Sequence, residues 1–148
     1  MLSQDFIDIL SAFTDEKVEY MVVGGYAMAF HGFVRATGDI DLWIRASEEN
    51  AERVWRGLQK FGAPLFDLSR EDLMAPEMVF QMGVVPNRID LITSVDGVTF
   101  DEAWKDHQIV EIENLRVPIV AKSHLLINKK ATGRPKDRID VLWMENGD

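Results

Sequence analysis

Asp39 and Asp41 occupy alternate positions in Asp39-Ile40-Asp41-Leu42-Trp43-Ile44. Ile40, Leu42 and Ile44 alternate with them, which is the period of a β-strand. Both carboxylates therefore leave one face, with Cα atoms roughly 6.5–7 Å apart. Two acids on a half-buried strand are unfavourable unless a cation or hydrogen-bond donors satisfy them. Mg²⁺ is the natural partner, a hard ion held by one or two carboxylates plus substrate phosphates. Two such ions, about 3.5–4 Å apart, can hold the attacking and leaving oxygens of a phosphoryl transfer. Asp90, in Asn87-Arg88-Ile89-Asp90-Leu91-Ile92, is a third acid in an apolar strand and a candidate to complete the site. Its plainer reading is an ion pair with a neighbouring arginine.

Upstream, Val22-Val23 runs into Gly24-Gly25 at the start of a short apolar run, Tyr26 to Phe30. Backbone N–H groups at such a strand-to-helix junction can approach a phosphate closely. Gly24-Gly25 alone would more often be a tight turn. The chain has no dinucleotide-binding glycine pattern and no Gly-x-x-x-x-Gly-Lys-Ser/Thr loop. Downstream, Lys129, Lys130, Arg134 and Lys136 form a basic cluster with Asp137 and Asp140 nearby. It has two readings. Lys129 or Lys130 with Arg134 could neutralise phosphate charge, or the cluster is a solvated helix face whose acids and bases pair. His31, His107 and His124 show no ligand spacing, and a surface or capping role is expected for His31.

The elements that would carry these residues follow from periodicity and stop signals. Helices are expected over 3–14, from Tyr26 to Phe30, from Ser47 to Gly62, near Phe100–Trp104, over Ser123–Thr132 and over Pro135–Met144. Strands are expected over Val18–Val23, Asp39–Ile44, Met78–Met82, Arg88–Ile92, 109–112 and 116–120, with a hairpin around Gly83–Asn87. Leu65 to Pro76 shows no clear pattern. Helices and strands alternate early and hairpins follow. That predicts an α/β (α+β) fold, a mixed sheet with helices packed on it.

Together these residues resemble the nucleotidyltransferase superfamily, which includes polymerase β-like and minimal nucleotidyltransferase domains. The family pattern is a hydrophobic residue, Gly-Gly or Gly-Ser, a spacer, then Asp-hydrophobic-Asp-hydrophobic. Here Val23-Gly24-Gly25 is followed by the thirteen residues Tyr26 to Gly38 and then Asp39-Ile40-Asp41-Leu42. Arg35-Ala36-Thr37-Gly38 looks like the Arg-x-Thr-x-Asp lead-in of the antitoxin-like branches. Lys129-Lys130-Ala131 and Arg134-Pro135-Lys136-Asp137 are similar to a segment near the end of such domains. The resemblance implies Mg²⁺-dependent transfer of a nucleoside monophosphate from a nucleoside triphosphate to an acceptor hydroxyl. It implies Asp39, Asp41 and Asp90 as metal ligands and catalytic residues. Gly24, Gly25, Lys129, Lys130 and Arg134 would be the nucleotide-binding residues. A small molecule, a partner protein or an RNA end could be the acceptor. One departure is Tyr26, which stands where many members carry a phosphate-binding serine. If its ring blocks that position, Tyr26→Ser should tighten nucleotide binding. Two alternatives stay open: a non-catalytic antitoxin-type or nucleotide-binding module of the same fold, and a phosphohydrolase using the same acids.

Composition sets the outer bounds. The 148 residues, 47% hydrophobic and 28% charged, fit one globular domain spanning 1–148. Cysteine is absent, so disulfides, thiolate metal sites and cysteine nucleophiles are excluded. No apolar run approaches the roughly 20 residues that cross a bilayer, and no signal peptide is evident, so a cytoplasmic protein is expected. The net charge of −9 disfavours a long nucleic acid, whose binding depends on neutralising phosphates. The charge is uneven. Residues 121–148 hold six basic and four acidic side chains, whereas the first 120 carry an excess of eleven acids. That asymmetry fits a small phosphorylated ligand between two regions. No acceptor-binding segment is visible, so a partner protein or homodimer is expected to supply that surface.

Overall fold

The computed structural model describes residues 2–146. Helix α1 (Gln4–Asp15) starts where Ser3 accepts a hydrogen bond from the Phe6 amide, and buries Phe6, Ile9, Leu10 and Phe13. β1 (Tyr20–Val23) is buried along its whole length and ends at Gly24, where α2 (Gly24–Phe30) begins. β2 (Asp39–Ile44) follows the expected loop. α3 (Glu48–Phe61) is capped by Ser47, which accepts from the Asn50 amide, and stopped by Gly62 in the left-handed region. It buries Ala51, Val54 and Leu58. A Cβ on Gly57 would lie 2.8 Å from the Phe13 ring, so this glycine lets α3 lie close against α1.

The stretch without a sequence pattern contains a single 3₁₀ turn, Asp72–Met74, anchored by fully buried Leu73. Then come β3 (Val79–Met82) and β4 (Arg88–Ile92), an antiparallel hairpin. α4 (Phe100–Asp106) opens with a capping box between Thr99 and Glu102. β5 (Gln108–Ile112) and β6 (Leu115–Ile119) form a second hairpin. α5 (Lys122–Thr132) ends at left-handed Gly133, and α6 (Pro135–Asn146) starts on proline.

All six strands join one mixed sheet in the order β3-β4-β2-β1-β6-β5. β2 is antiparallel to β1 and parallel to β4, and β1 is parallel to β6. This is the mixed α/β architecture that the sequence predicts. Inner β2 turns Ile40, Leu42 and Ile44 into the core with no exposed surface. Its other face holds Asp39, Asp41 and Trp43. Trp43 is covered, with Phe100 of α4 edge-on at 5.3 Å and its indole N–H donating to Thr93 O at 3.3 Å. The acidic face is thus open only at the head of the strand.

Candidate functional site

Register brings the three acids together. β2 and β4 run parallel with Asp39 beside Arg88 and Asp41 beside Asp90. One carboxylate oxygen from each of Asp39, Asp41 and Asp90 lies within 4.8 Å of the others. The two strand segments, 49 residues apart in sequence, therefore build one acidic face. Oxygen donors converging at this spacing fit a hard divalent cation.

Gly24 directly follows β1 and lies beside this face, since its neighbour Val23 pairs with Asp41. Its φ of +69° is in the left-handed region, and a Cβ there would fall 2.2 Å from Asp41 Oδ2. Any side chain would displace the carboxylate. Gly25 is close packed as well, with Thr37 Oγ1 3.0 Å from where its Cβ would be. The Thr37 hydroxyl lies 3.1 Å from Asp39 O and 3.4 Å from Asp39 Oδ1. The first amides of α2 have no partner within that helix, so those of Gly24 and Gly25 remain donors next to the acids.

The electrostatics of the triad are uneven. Burial opposes ionisation of Asp39, but hydrogen bonding with the Asp41 and Asp90 carboxyls and the Arg88 guanidinium together hold it below the usual carboxylate range. Asp41 moves the other way. Burial, then the charge of Asp39 and of Asp90, pushes it up to about 8. Asp90 is also raised, chiefly by burial, with Arg88 opposing the shift. Burial and crowding thus favour the neutral form of Asp41 and the ionised form of Asp39.

The basic segment faces the acids across a cleft of about 440 Å³. Lys129, Arg134 and Lys136 line it, together with Arg35 from the loop before β2. Lys129 is buried, its Nζ 2.9 Å from Asp140 Oδ2 and 3.3 Å from Asp137 Oδ1. Arg35 pairs with Asp140, and Arg134 Nε donates to Asp137 Oδ2 at 2.7 Å. Burial opposes ionisation of Asp137, but Thr132, Arg134 and Lys129 lower its pKa on balance. The acids and bases of this cluster pair as expected, but Lys129, Asp137 and Asp140 are buried at the cleft rather than lying on a solvated helix face.

Lys130 does not reach the cleft. It pairs with Glu145 at 3.0 Å and borders a separate hollow with Gly133, Arg138 and Leu142, because it is one residue out of phase with Lys129 on α5. Tyr26 does not line the cleft either. Its ring stands edge-on to Phe6 at 5.5 Å, against α1 and the core. His31 caps α2 and its Nε2 lies 2.7 Å from Val120 O, in the expected capping role.

The ion pair with a neighbouring arginine expected for Asp90 is present, with Arg88 Nε 3.0 Å from Asp90 Oδ1. The signal was present: in Arg88-Ile89-Asp90 a strand places the guanidinium on the same face as the acid. Its reach to Asp39 depends on the β2–β4 register, which sequence periodicity does not specify. A larger hollow of about 620 Å³ between α3 and the 3₁₀ turn is lined by Glu48, Glu49, Glu52, Arg70 and Met74. Among the described residues its acids form no converging group of three like that of the cleft.

A family model described as "Nucleotidyltransferase of unknown function (DUF6036)" matches residues 4–145. The fold is similar to the crystal structure of a Thermotoga maritima protein described provisionally as a nucleotidyltransferase. That similarity has a TM-score of 0.65 at 16% identity and covers 100% of this chain and 97% of that one. No curated protein matches the sequence significantly. Among the described residues, no helix is long and apolar enough to cross a membrane.

Proposed function

The chain belongs to the DUF6036 family of nucleotidyltransferases of unknown function, and from that premise we propose that it transfers a nucleoside monophosphate from a nucleoside triphosphate to an acceptor hydroxyl. The observation that carries this reading is the convergence of Asp39, Asp41 and Asp90 beside the Gly24-Gly25 junction, in a cleft whose far wall is basic. Asp39, Asp41 and Asp90 would hold Mg²⁺. The ion, when bound, supplies charge stabilisation to the reacting phosphoryl oxygens and lowers the pKa of the attacking hydroxyl. The donor set fits: three hard oxygens, one of which keeps a proton when no cation is present.

The chain's own residues do the rest. Backbone amides of Gly24 and Gly25 hold the phosphates, and the absence of a Cβ on Gly24 lets the acid and the phosphate approach together. Arg134 and Lys136, at the cleft wall, offset charge on the departing pyrophosphate. The acceptor oxygen bonds to the α-phosphorus, the bond to the β-phosphate oxygen breaks, and the acceptor's proton passes to the Asp90 carboxylate. A small molecule or a hydroxyl of a partner protein, itself a second copy or another chain, suits an acidic body of net charge −9 better than a long nucleic acid. One sheet and one apolar core support a single domain acting as the unit.

The test is calorimetric titration of nucleoside triphosphates with and without Mg²⁺, paired with pyrophosphate release. Asp39→Asn and Asp41→Asn should each abolish Mg²⁺-dependent binding while the protein stays folded. The melting temperature should hold in Asp41→Asn, which replaces an acid whose burial favours the neutral form, and fall in Asp39→Asn, which loses the ion pair with Arg88. Unchanged binding in both variants would remove these acids from the site. Binding without turnover in the native protein would favour a nucleotide-binding module.

A further inference from the structure

Arg88 opens β4 beside Asp39, the residue that opens β2, and shares a strand face with Asp90. Its guanidinium grips Asp90 twice, Nε to Oδ1 at 3.0 Å and Nη2 to Oδ2 at 3.3 Å. The same Nη2 reaches Asp39 Oδ2 at 3.3 Å. Among the described residues no hydrogen bond joins Arg88 to Asp41. The two contacts are unequal: a two-point fork on Asp90, and a single bond to Asp39 from a nitrogen that also serves Asp90. The side chain is 31% exposed, so it has room to turn away from Asp39 without leaving Asp90. A divalent ion in the cluster would draw on the same Asp39 lone pairs, and its compact double charge attracts them more strongly than a delocalised single one.

We propose that Arg88 is a resident counter-cation that keeps the acid cluster assembled in the metal-free protein and yields Asp39, but not Asp90, when a divalent ion enters. Arg88 is then a positioning residue. Its fork fixes how Asp90 is presented to the cleft, and its single contact with Asp39 sets a competition that the ion must win. The inference rests on the metal reading of the three acids, and the experiment separates the two.

Mn²⁺ binding to the intact protein is followed by the electron paramagnetic resonance of the free ion at low ionic strength. The wild type, Arg88→Gln and Arg88→Lys are compared, and each is melted with and without Mn²⁺. Arg88→Gln removes the competing charge and should bind Mn²⁺ about tenfold more tightly. Its metal-free melting temperature should be lower and its metal-induced rise larger. Arg88→Lys restores a competing charge and should return the affinity to within about threefold of the wild type. A second measurement needs no variant. On Mg²⁺ titration of the wild type, the Arg88 Nε–H nuclear magnetic resonance signal should persist while the Nη2 protons exchange faster with water. Equal or weaker Mn²⁺ binding by Arg88→Gln, or loss of the Nε–H signal, overturns the proposal and leaves the metal reading standing. No Mn²⁺ binding by any of the three proteins overturns both.

Discussion

Tyr26 follows the two glycines, yet it does not line the cleft and its ring packs edge-on against Phe6. Burial and the charge of Asp39 raise the pKa of its hydroxyl, so the phenol stays neutral beside the acids. The ring is only partly buried, so removing it forfeits a fraction of the roughly 3–5 kcal/mol of a fully buried aromatic. Tyr26→Ser should therefore destabilise the protein by about 1–2 kcal/mol in urea unfolding. Nucleotide affinity should stay within about twofold of the wild type. Tighter binding at unchanged stability would return Tyr26 to the phosphate position that the family resemblance implies. Gly24 illustrates the opposite relation between type and place. The sequence marks it as a junction glycine, and the 2.2 Å approach of Asp41 supplies the physical reason.

Helix α6 is an element whose pattern misleads. It buries Asp137, Asp140 and Met144, while Ile139 and Leu142 are 64% and 61% exposed. The inward acids exist for Lys129 of α5, which is enclosed between them, with Arg35 and Arg134 completing the charges. Taking one charge out of such a buried network leaves the others uncompensated. Lys129→Met should thus lower unfolding free energy by roughly 3–5 kcal/mol. Lys130→Met, losing an exposed pair with Glu145, should change it by no more than about 0.5 kcal/mol. Equal effects in a denaturant titration would contradict the buried clamp. The contrast also marks what was legible. The strand acids, the glycine junction, the capped α3 and both hairpins were readable because each is encoded within a few residues by period, cap or stop. The inward turn of Asp137 and Asp140 was not, because their partners, Lys129 and Arg35, come from other segments. The bond of Arg88 to Asp39 was hidden for the same reason, as strand register is a tertiary property, whereas its pair with Asp90 lies within one strand and was expected.

For the whole molecule, the unequal acids of the cleft tie stability to pH and to metal. Asp41 has a folded pKa of about 8, above its unfolded value. The folded state therefore binds a proton that the unfolded state has released. Its contribution to stability is complete below the unfolded pKa of about 3.9 and is lost as pH rises through 8. Asp39 and Asp137 are shifted the other way, so their contributions are present above the ordinary carboxylate range and lost in acid. The metal-free protein should accordingly be most stable on the mildly acidic side of neutrality and lose melting temperature between pH 6 and 9. A divalent ion competes with the Asp41 proton, since both neutralise the same crowded charge. Added Mg²⁺ should raise the melting temperature more at pH 8.5 than at pH 6, because at pH 6 it must first displace that proton. Asp41→Asn carries no titrating group at this position and should remove both the alkaline loss and most of the Mg²⁺ gain. Thermal melts of the two proteins across pH, with and without Mg²⁺, check this directly. A Mg²⁺ effect of the same size at both pH values would mean that the ion binds elsewhere on this acidic chain, and that Asp41 does not exchange its proton for it.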